Sequence, residues 1–555
     1  MSQDLFTKHR ATLEQAIETT RRRDYWSPYP EVPSGKVYGE EAAASGQAAF
    51  EGRLNERLAL QQPGRVAEIG NEVSPYGFAL GVRYPKSDLD QLLPAMQASL
   101  PAWRDAGPET RAGVCLEILQ RLNKRSFELA HAVMHTTGQG FVMAFQAGAT
   151  HAQDRGLEAI AYAYEAMSRI PQESRWIKPQ GKHEPLRMEK RFHVVPRGLA
   201  LLIGVSTFPT WNGYPGLFAS LVTGNPVVVK PHPATVLPLA LTVQVAQEVL
   251  QEAGFDPWLV ALAADSPEAP ITKELAQRPE IRLIDYTGST AFGNWLEQHA
   301  RQAQLYTEKA GVNSVVIDST DNLQGLIRNL AFSLSLYSGQ MCTTPQNIYV
   351  PHDGIETEQG RLSHVEIAQA LADGVRRLLS DADRAAELLG AIQSEDTVRR
   401  IEEATRLGEV VLASEPRRHT RFPDARMRTP LILQVAAKES DCYYQERFGP
   451  ISFIVATDST AESIERARES ALAHGAITWS VYSNEETVLA RMEHAALDAG
   501  VALSCNLTGG VYVNQSAAFS DFHATGANPA ANACLCDSAF VANRFRVVQS
   551  RRHAA

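Results

Sequence analysis

Apolar and polar positions follow two rhythms along this chain. Between Asp88 and Gly138 the rhythm is helical. Cys115, Ile118, Leu119 and Leu122 fall at i, i+3, i+4 and i+7 and place one apolar stripe on a helix. Thr137-Gly138 supplies a stop signal, because a glycine accepts the left-handed conformation that ends many helices. A second helical region covers residues 150–167. Residues 187–197 mix charged with aromatic and β-branched side chains, the pattern of a half-exposed strand. From there short apolar runs alternate with helical segments: strand 199–205, helix 214–222 ended by Gly224, strand 226–229, helix 236–254, strand 281–286 and helix 290–302. After Glu308 the pattern restarts with strand 314–317, helix 322–337 and strand 346–350, and further repeats run over 365–390 and from 452 onward. Alternating strands and helices predict parallel sheets covered on both faces, here as two α/β domains with a boundary near Gly311. The first 75 residues are polar, with an Arg21-Arg22-Arg23 run and a Pro-rich patch from Trp26 to Pro33. They read as a helical and loop extension wrapping the surface, without chemistry of its own.

Composition narrows the function classes. A chain of 555 residues is too long for one compact core, and its formal net charge of −10 disfavours a phosphate-backbone binder. Nucleic acid is therefore not an expected partner. Six cysteines are too sparse for a disulfide framework, and the opening residues carry no export signal, so a reducing, cytoplasmic setting is expected. No formal charge lies between Arg197 and Lys230, a stretch long enough to span a bilayer. It holds Pro209, Pro215, Pro226 and five glycines, which would leave backbone groups unsatisfied in lipid, so a buried strand–helix–strand segment is expected instead.

Three segments offer chemistry. Tyr286-Thr287-Gly288-Ser289-Thr290 ends a strand and opens a helix, where free N–H groups suit a phosphate, although glycine turns of this kind are common punctuation. Val227-Val228-Val229-Lys230-Pro231 puts a lysine at the carboxyl end of a buried strand, where open α/β sheets bind ligands. Gly339-Gln340-Met341-Cys342 sets a thiol among small residues in a loop; a free thiol needs its surroundings to activate it, and without partners it reads as an inert buried cysteine. Cys534-Leu535-Cys536 with His523 has no second ligand pair at zinc-type spacing, so no metal is expected.

Taken in order, Val229-Lys230-Pro231, Thr287-Gly288-Ser289-Thr290, Glu308, Gly339-Gln340-Met341-Cys342 and Glu446-Arg447-Phe448-Gly449-Pro450 resemble the aldehyde dehydrogenase superfamily from about residue 88 to about 514. The interval from Glu308 to Cys342 is the one that family usually shows. The resemblance implies two doubly wound parallel-sheet domains plus a small β bridging and oligomerisation element. Its limits here are an N-terminal extension at 1–75, a dinucleotide-binding domain at 76–310 with a bridging strand near 184–197, a cysteine domain at 311–500, and a C-terminal return at 501–555. It also implies a homodimer or homotetramer, and residues 541–548 are a candidate intersubunit strand.

Carried over by position, Cys342 is the nucleophile and Glu308 the base that activates water. Lys230 binds the adenosine ribose, Gly288 and Ser289 lie near the pyrophosphate, Glu446 binds the nicotinamide ribose, and Phe448 packs beside it. Counting back from Lys230, the family's oxyanion asparagine falls on Thr207, while Asn212 in Thr210-Trp211-Asn212 copies its usual neighbours slightly later; Thr207 is the first choice, Asn212 the alternative. The acidic residue that often follows the lysine is replaced by Pro233, beside His232. Loss of that carboxylate removes a repulsion from a ribose 2′-phosphate, so NADP is expected to be tolerated or preferred, with NAD the other reading. The segments 206–213 and 306–313 are similar to the phenylacetic-acid-degradation aldehyde dehydrogenases of the PaaN type. That likeness implies oxidation of a ring-opened, CoA-linked semialdehyde in aromatic catabolism, with ring opening supplied by another protein, since no hydratase domain follows. A CoA-acylating dehydrogenase and a catalytically silent protein of the same fold are the competing readings.

Overall fold

The computed structural model describes residues 2–554. Its first sheet is parallel throughout and runs in the order Val260–Leu262, Val227–Lys230, Leu199–Ile203, Ile281–Thr287, Gln304–Glu308. Successive side chains of a strand point to opposite faces. Ala200, Leu202, Val227 and Val229 accordingly enter one core cluster, and Leu199, Leu201, Ile203 and Val228 another. Both faces are covered, which is why these strands read as unbroken apolar runs. The uncharged stretch after Arg197 folds as a strand, a helix and a strand inside this unit, and among the described residues no helix is long and apolar enough to cross a membrane.

Two helices of this unit differ from the expected pattern. The helical stretch after Asp88 is three helices, Leu89–Asp105, Gly107–Lys124 and Ser126–Thr137, broken where Gly107 takes a positive φ of 79° and Pro108 opens the next turn. Cys115 is fully buried on its stripe. Gly138 ends the third helix in the left-handed conformation, and a Cβ there would lie 2.3 Å from the Ala391 carbonyl. The helix expected from residue 214 starts earlier, as Pro209–Val222, since a proline fits the first helical turn. That earlier start places Asn212 on its first turn.

The second sheet has seven strands, in the order Glu409–Leu412, Leu431–Ala436, Ile451–Thr457, Asn347–Pro351, Ser314–Ile317, Thr478–Tyr482, Ala502–Cys505, and only the Glu409–Leu412 edge is antiparallel. Ala502–Cys505 closes this sheet, so the chain leaves it after residue 505 rather than at the expected 500. A third, antiparallel sheet joins Phe545–His553, His183–Pro196 and Glu173–Gln180. Its C-terminal strand lies later than the expected 541–548, because Val541 belongs to the short helix Ser538–Ala542. Between helix and strand, the buried Arg544 guanidinium pairs with Asp285 at 2.6 Å and lies 4.0 Å from the Tyr306 ring centroid, tying the returning chain to the first sheet.

The N-terminal helix Ser2–Arg22 buries Leu13 and Ala16 in the same core as helices Gly107–Lys124 and Ala152–Ser168. The chain that follows it does not stay on the outer surface, as described next.

Candidate active site

Glu308 is the last residue of an edge strand, and its carboxylate is buried, with 3% of the residue exposed. One oxygen accepts from Asn212 Nδ2 at 3.1 Å and the other lies 3.1 Å from His523 Nε2. Lys309, the bulkier neighbour in this loop, turns away to Glu297 and Asn294, at 2.9 and 3.0 Å, and leaves the carboxylate unobstructed.

Cys342 follows a tight left-handed turn in which Tyr337, Ser338 and Gly339 all take positive φ, near 50°, 48° and 62°. Such backbone is costly for residues with a Cβ and persists where the surroundings over-determine it. Tyr337 Oη donates to the Thr137 carbonyl at 2.5 Å, Ser338 Oγ to Leu389 at 3.0 Å, and Gln340 Nε2 to Ala391 at 3.1 Å. Asn313 Nδ2 donates to the carbonyls of Cys342 and Thr344 at 2.7 and 3.1 Å, while its Oδ1 accepts from Ile477 and Thr478. One side chain therefore fixes the nucleophile loop to the second sheet. Cys342 Sγ lies 3.5 Å from His523 Nε2. Burial and the Glu308 carboxylate push the thiol well above its usual range, so a proton acceptor has to be supplied.

The donor atoms of Glu308, Cys342 and His523 lie within 4.8 Å of one another. Cys342 and His523 line a cavity of ≈ 560 Å³ together with Asn212, Trp211, Phe208 and Met341, and Glu308 lines a smaller neighbouring pocket that shares Asn212. The opposite wall comes from the N-terminal extension, through Tyr25, Trp26 and Tyr29. The extension therefore does more than wrap the surface: Trp26 and the buried Tyr29 of its proline-rich segment border the cavity, with Tyr25 at an exposed position.

Of the two oxyanion candidates, the structure brings Asn212 to this cavity and not Thr207. Thr207 is buried, its carbonyl accepts from Gln139 Nε2 at 2.8 Å, and it is not among the residues that line the cavity with Cys342. Asn212 lines that cavity and contacts Glu308. The early helix start carries it there, which a gapless count from Lys230 could not reveal.

The expected cofactor residues lie along the carboxyl ends of the first sheet and in the loop facing it. Lys230 is buried at its strand end, with Nζ 2.7 Å from Asp265 and donating to the Pro231 carbonyl at 2.7 Å. His232 Nδ1 accepts from the Ala234 N–H at 3.2 Å and caps the following loop. Gly288 N–H donates to the Glu308 carbonyl at 3.0 Å, and a Cβ at position 288 would stand 2.5 Å from Tyr286 Oη, so only glycine keeps this turn open. Ser289 caps helix Thr290–His299, whose free N–H groups and positive end suit a pyrophosphate. A buried ammonium, an uncrowded glycine turn and a capped helix end fit a dinucleotide. Glu446 is half-buried, and desolvation pushes its carboxyl up to about 7 against a Gly311 N–H and the Arg400 charge. Phe448 is held by its carbonyl, which accepts from Arg400 at 2.7 Å.

His523 and Asn313 were not picked out as site residues by sequence reasoning. His523 drew notice only beside Cys534 and Cys536; its backbone pairs with Leu535, while its ring faces Cys342. Both of those cysteines are buried.

Fold and site together define an aldehyde dehydrogenase-type protein, and the family model for the aldehyde dehydrogenase family matches residues 81–525; the chain belongs to this family. Among solved structures it is similar to an NAD-dependent aldehyde dehydrogenase from Burkholderia multivorans, with 59% identity, 99% of each chain covered and a TM-score of 0.98. Among characterised relatives it is 24% identical over 412 residues to 2-aminomuconic semialdehyde dehydrogenase of Bos taurus, covering 71% of this chain and 78% of that one. It is 23% identical over 390 residues to the D-glyceraldehyde dehydrogenase (NADP(+)) of Thermoplasma acidophilum, covering 69% and 74%.

Proposed function

We propose that the protein oxidises an aldehyde to a carboxylic acid with NAD or NADP, through a thioester on Cys342. The observation that carries this reading is the approach of Cys342 Sγ and a Glu308 carboxylate oxygen to within 4.8 Å, with the Glu308 carbonyl accepting from the Gly288 N–H at the strand end of the first sheet. The Cys342 thiolate adds to the carbonyl carbon, and Asn212 Nδ2 with the Cys342 N–H holds the oxygen that becomes charged. A bound dinucleotide would supply the hydride acceptor; Lys230 and Glu446 would hold its two riboses, and the turn at Gly288 and Ser289 its phosphates. Glu308 then takes a proton from water, which attacks the thioester carbon, releases the acid and frees the sulfur.

The finer substrate reading is a ring-opened semialdehyde on a CoA arm, as in phenylacetate breakdown. Its support is the likeness of segments 206–213 and 306–313 to that group of enzymes, together with a cavity of ≈ 560 Å³ beside Cys342. On the cofactor, Pro233 removes one repulsion from a 2′-phosphate, but Asp265 returns a carboxylate beside Lys230 and weighs toward NAD. A homodimer or homotetramer is proposed through the third sheet, where Ile177, Leu186, Val547 and Val548 are exposed.

The test is turnover of medium-chain, aromatic and CoA-linked semialdehydes with NAD or NADP, with and without free CoA. Reduced nicotinamide forming without free CoA supports the reading. Strict dependence on free CoA would replace it with an acylating enzyme, and no turnover of any aldehyde would overturn it.

A further inference from the structure

Resting on the reading of Cys342 as nucleophile, we propose that His523 is a catalytic residue that takes the thiol proton of Cys342, leaving Glu308 for the later water step. A single ring nitrogen, Nε2, stands 3.5 Å from Sγ and 3.1 Å from Glu308 Oε1. That arrangement orders the transfer. With Nδ1 carrying the neutral ring's proton, the S–H bond breaks and an Nε2–H bond forms. Before the transfer the Nε2 lone pair faces the Glu308 carboxylate; the imidazolium so made donates to Glu308 and sits beside the new thiolate, so that repulsive contact becomes a hydrogen bond, one proton moves from sulfur to nitrogen, and no redox partner is involved.

The acid–base match favours the ring. Imidazole as a class holds a proton more tightly than a carboxylate, so the ring is the better acceptor for a thiol proton. Burial pushes the Cys342 thiol further from the carboxylate still. Direct transfer to Glu308 would also consume the base required for deacylation.

The ring is built into place. It is buried and meets the Trp211 ring edge-on at 4.6 Å between centroids. Behind Trp211 the buried Arg155–Glu158 pair holds the same segment: Arg155 donates to the Asp521 carbonyl at 3.1 Å and Glu158 accepts from the Phe519 N–H at 3.0 Å. Leu535 N–H donates to the His523 carbonyl at 2.8 Å. The charged or titratable groups facing the ring are thus Glu308 and Cys342 directly, Arg155 with Glu158 beyond Trp211, and Asp154 and His151 further along the cavity wall; Glu446 acts on the thiol from the cofactor side.

The experiment is the pH dependence of Cys342 alkylation by iodoacetamide in the full chain, followed by peptide mapping so that the other five cysteines are not counted, and needing no aldehyde. Wild type is expected to react along a limb that begins below the thiol range. His523→Gln should lose that limb, react at least about tenfold more slowly at pH 7, and rise only in the thiol range above pH ~8.5. His523→Ala should recover with added free imidazole. Melting temperature and NAD binding check that the variants are folded; if neither folds, the wild-type profile decides alone. A wild-type limb confined to the thiol range, equal profiles for wild type and His523→Gln, or a limb removed by Glu308→Gln and kept by His523→Gln would overturn the proposal. Failure of the nucleophile reading shows differently, as full aldehyde turnover by Cys342→Ala.

Discussion

At the reacting sulfur, burial works against reactivity and neighbouring groups have to restore it. The Cys342 thiol is held above its usual range, and its loop is fixed by Asn313 in a conformation that two non-glycine residues adopt only under constraint. Asn212 donates to the Glu308 carboxylate in the resting site, and on the proposed mechanism it also serves the oxyanion during addition. Asn212→Ala should therefore lower kcat by about 10²–10³, the usual cost of an oxyanion donor. Thr207→Val should leave kcat unchanged, because Thr207 meets the site only through its carbonyl's bond to Gln139. Steady-state kinetics of the two variants checks this, and a larger loss in Thr207→Val would reverse the assignment. Cys342 and Glu308 were legible in the chain because their motifs are local. His523 was not, since it reaches the sulfur from 181 positions away and the carboxylate from 215, a distance no short pattern spans.

The elements show what local pattern can and cannot convey. Strands such as Ser314–Ile317 are readable because burial on both faces makes them uniformly apolar. The start of helix Pro209–Val222 was not, because proline there serves equally as a loop residue and as a first-turn residue, and the difference moves Asn212 into the site. The loop between Ser440–Tyr443 and Ile451–Thr457 carries Glu446, whose carboxyl is pushed up to about 7 from an ordinary 4.5. A raised acid binds its proton more tightly when folded than when unfolded. Its ionisation therefore costs stability as pH rises from 4.5 to 7, and the full cost is present above 7. Glu446→Gln should show no gain in melting temperature near pH 4, a gain that grows between pH 5 and 7, and weaker cofactor binding throughout. Thermal melts and cofactor titrations across that range test both parts. A constant gain at every pH would mean the carboxyl is not the source.

Over the whole molecule, the cavity is assembled from segments far apart in the chain: the N-terminal extension, the helix after the first strand, the nucleophile loop and the returning C-terminal segment. The two parallel sheets were legible from alternating strands and helices. The placement of Trp26 and Tyr29 against the cavity was not, because an isolated apolar patch among polar residues gives no sign of what it faces. Trp26→Ala should raise KM for bulky or extended aldehydes by about tenfold, the loss of 1–2 kcal/mol of apolar contact, and leave short aldehydes unaffected. An equal change for both would show that the segment only supports the fold. The most direct test of the account is a rapid-mixing measurement on Glu308→Gln with aldehyde and dinucleotide. The account predicts one burst of reduced nicotinamide, close to one per active site, followed by a stalled steady state with acyl mass retained on Cys342. Sustained turnover at the wild-type rate, or a stall with no acyl group on Cys342, would contradict it.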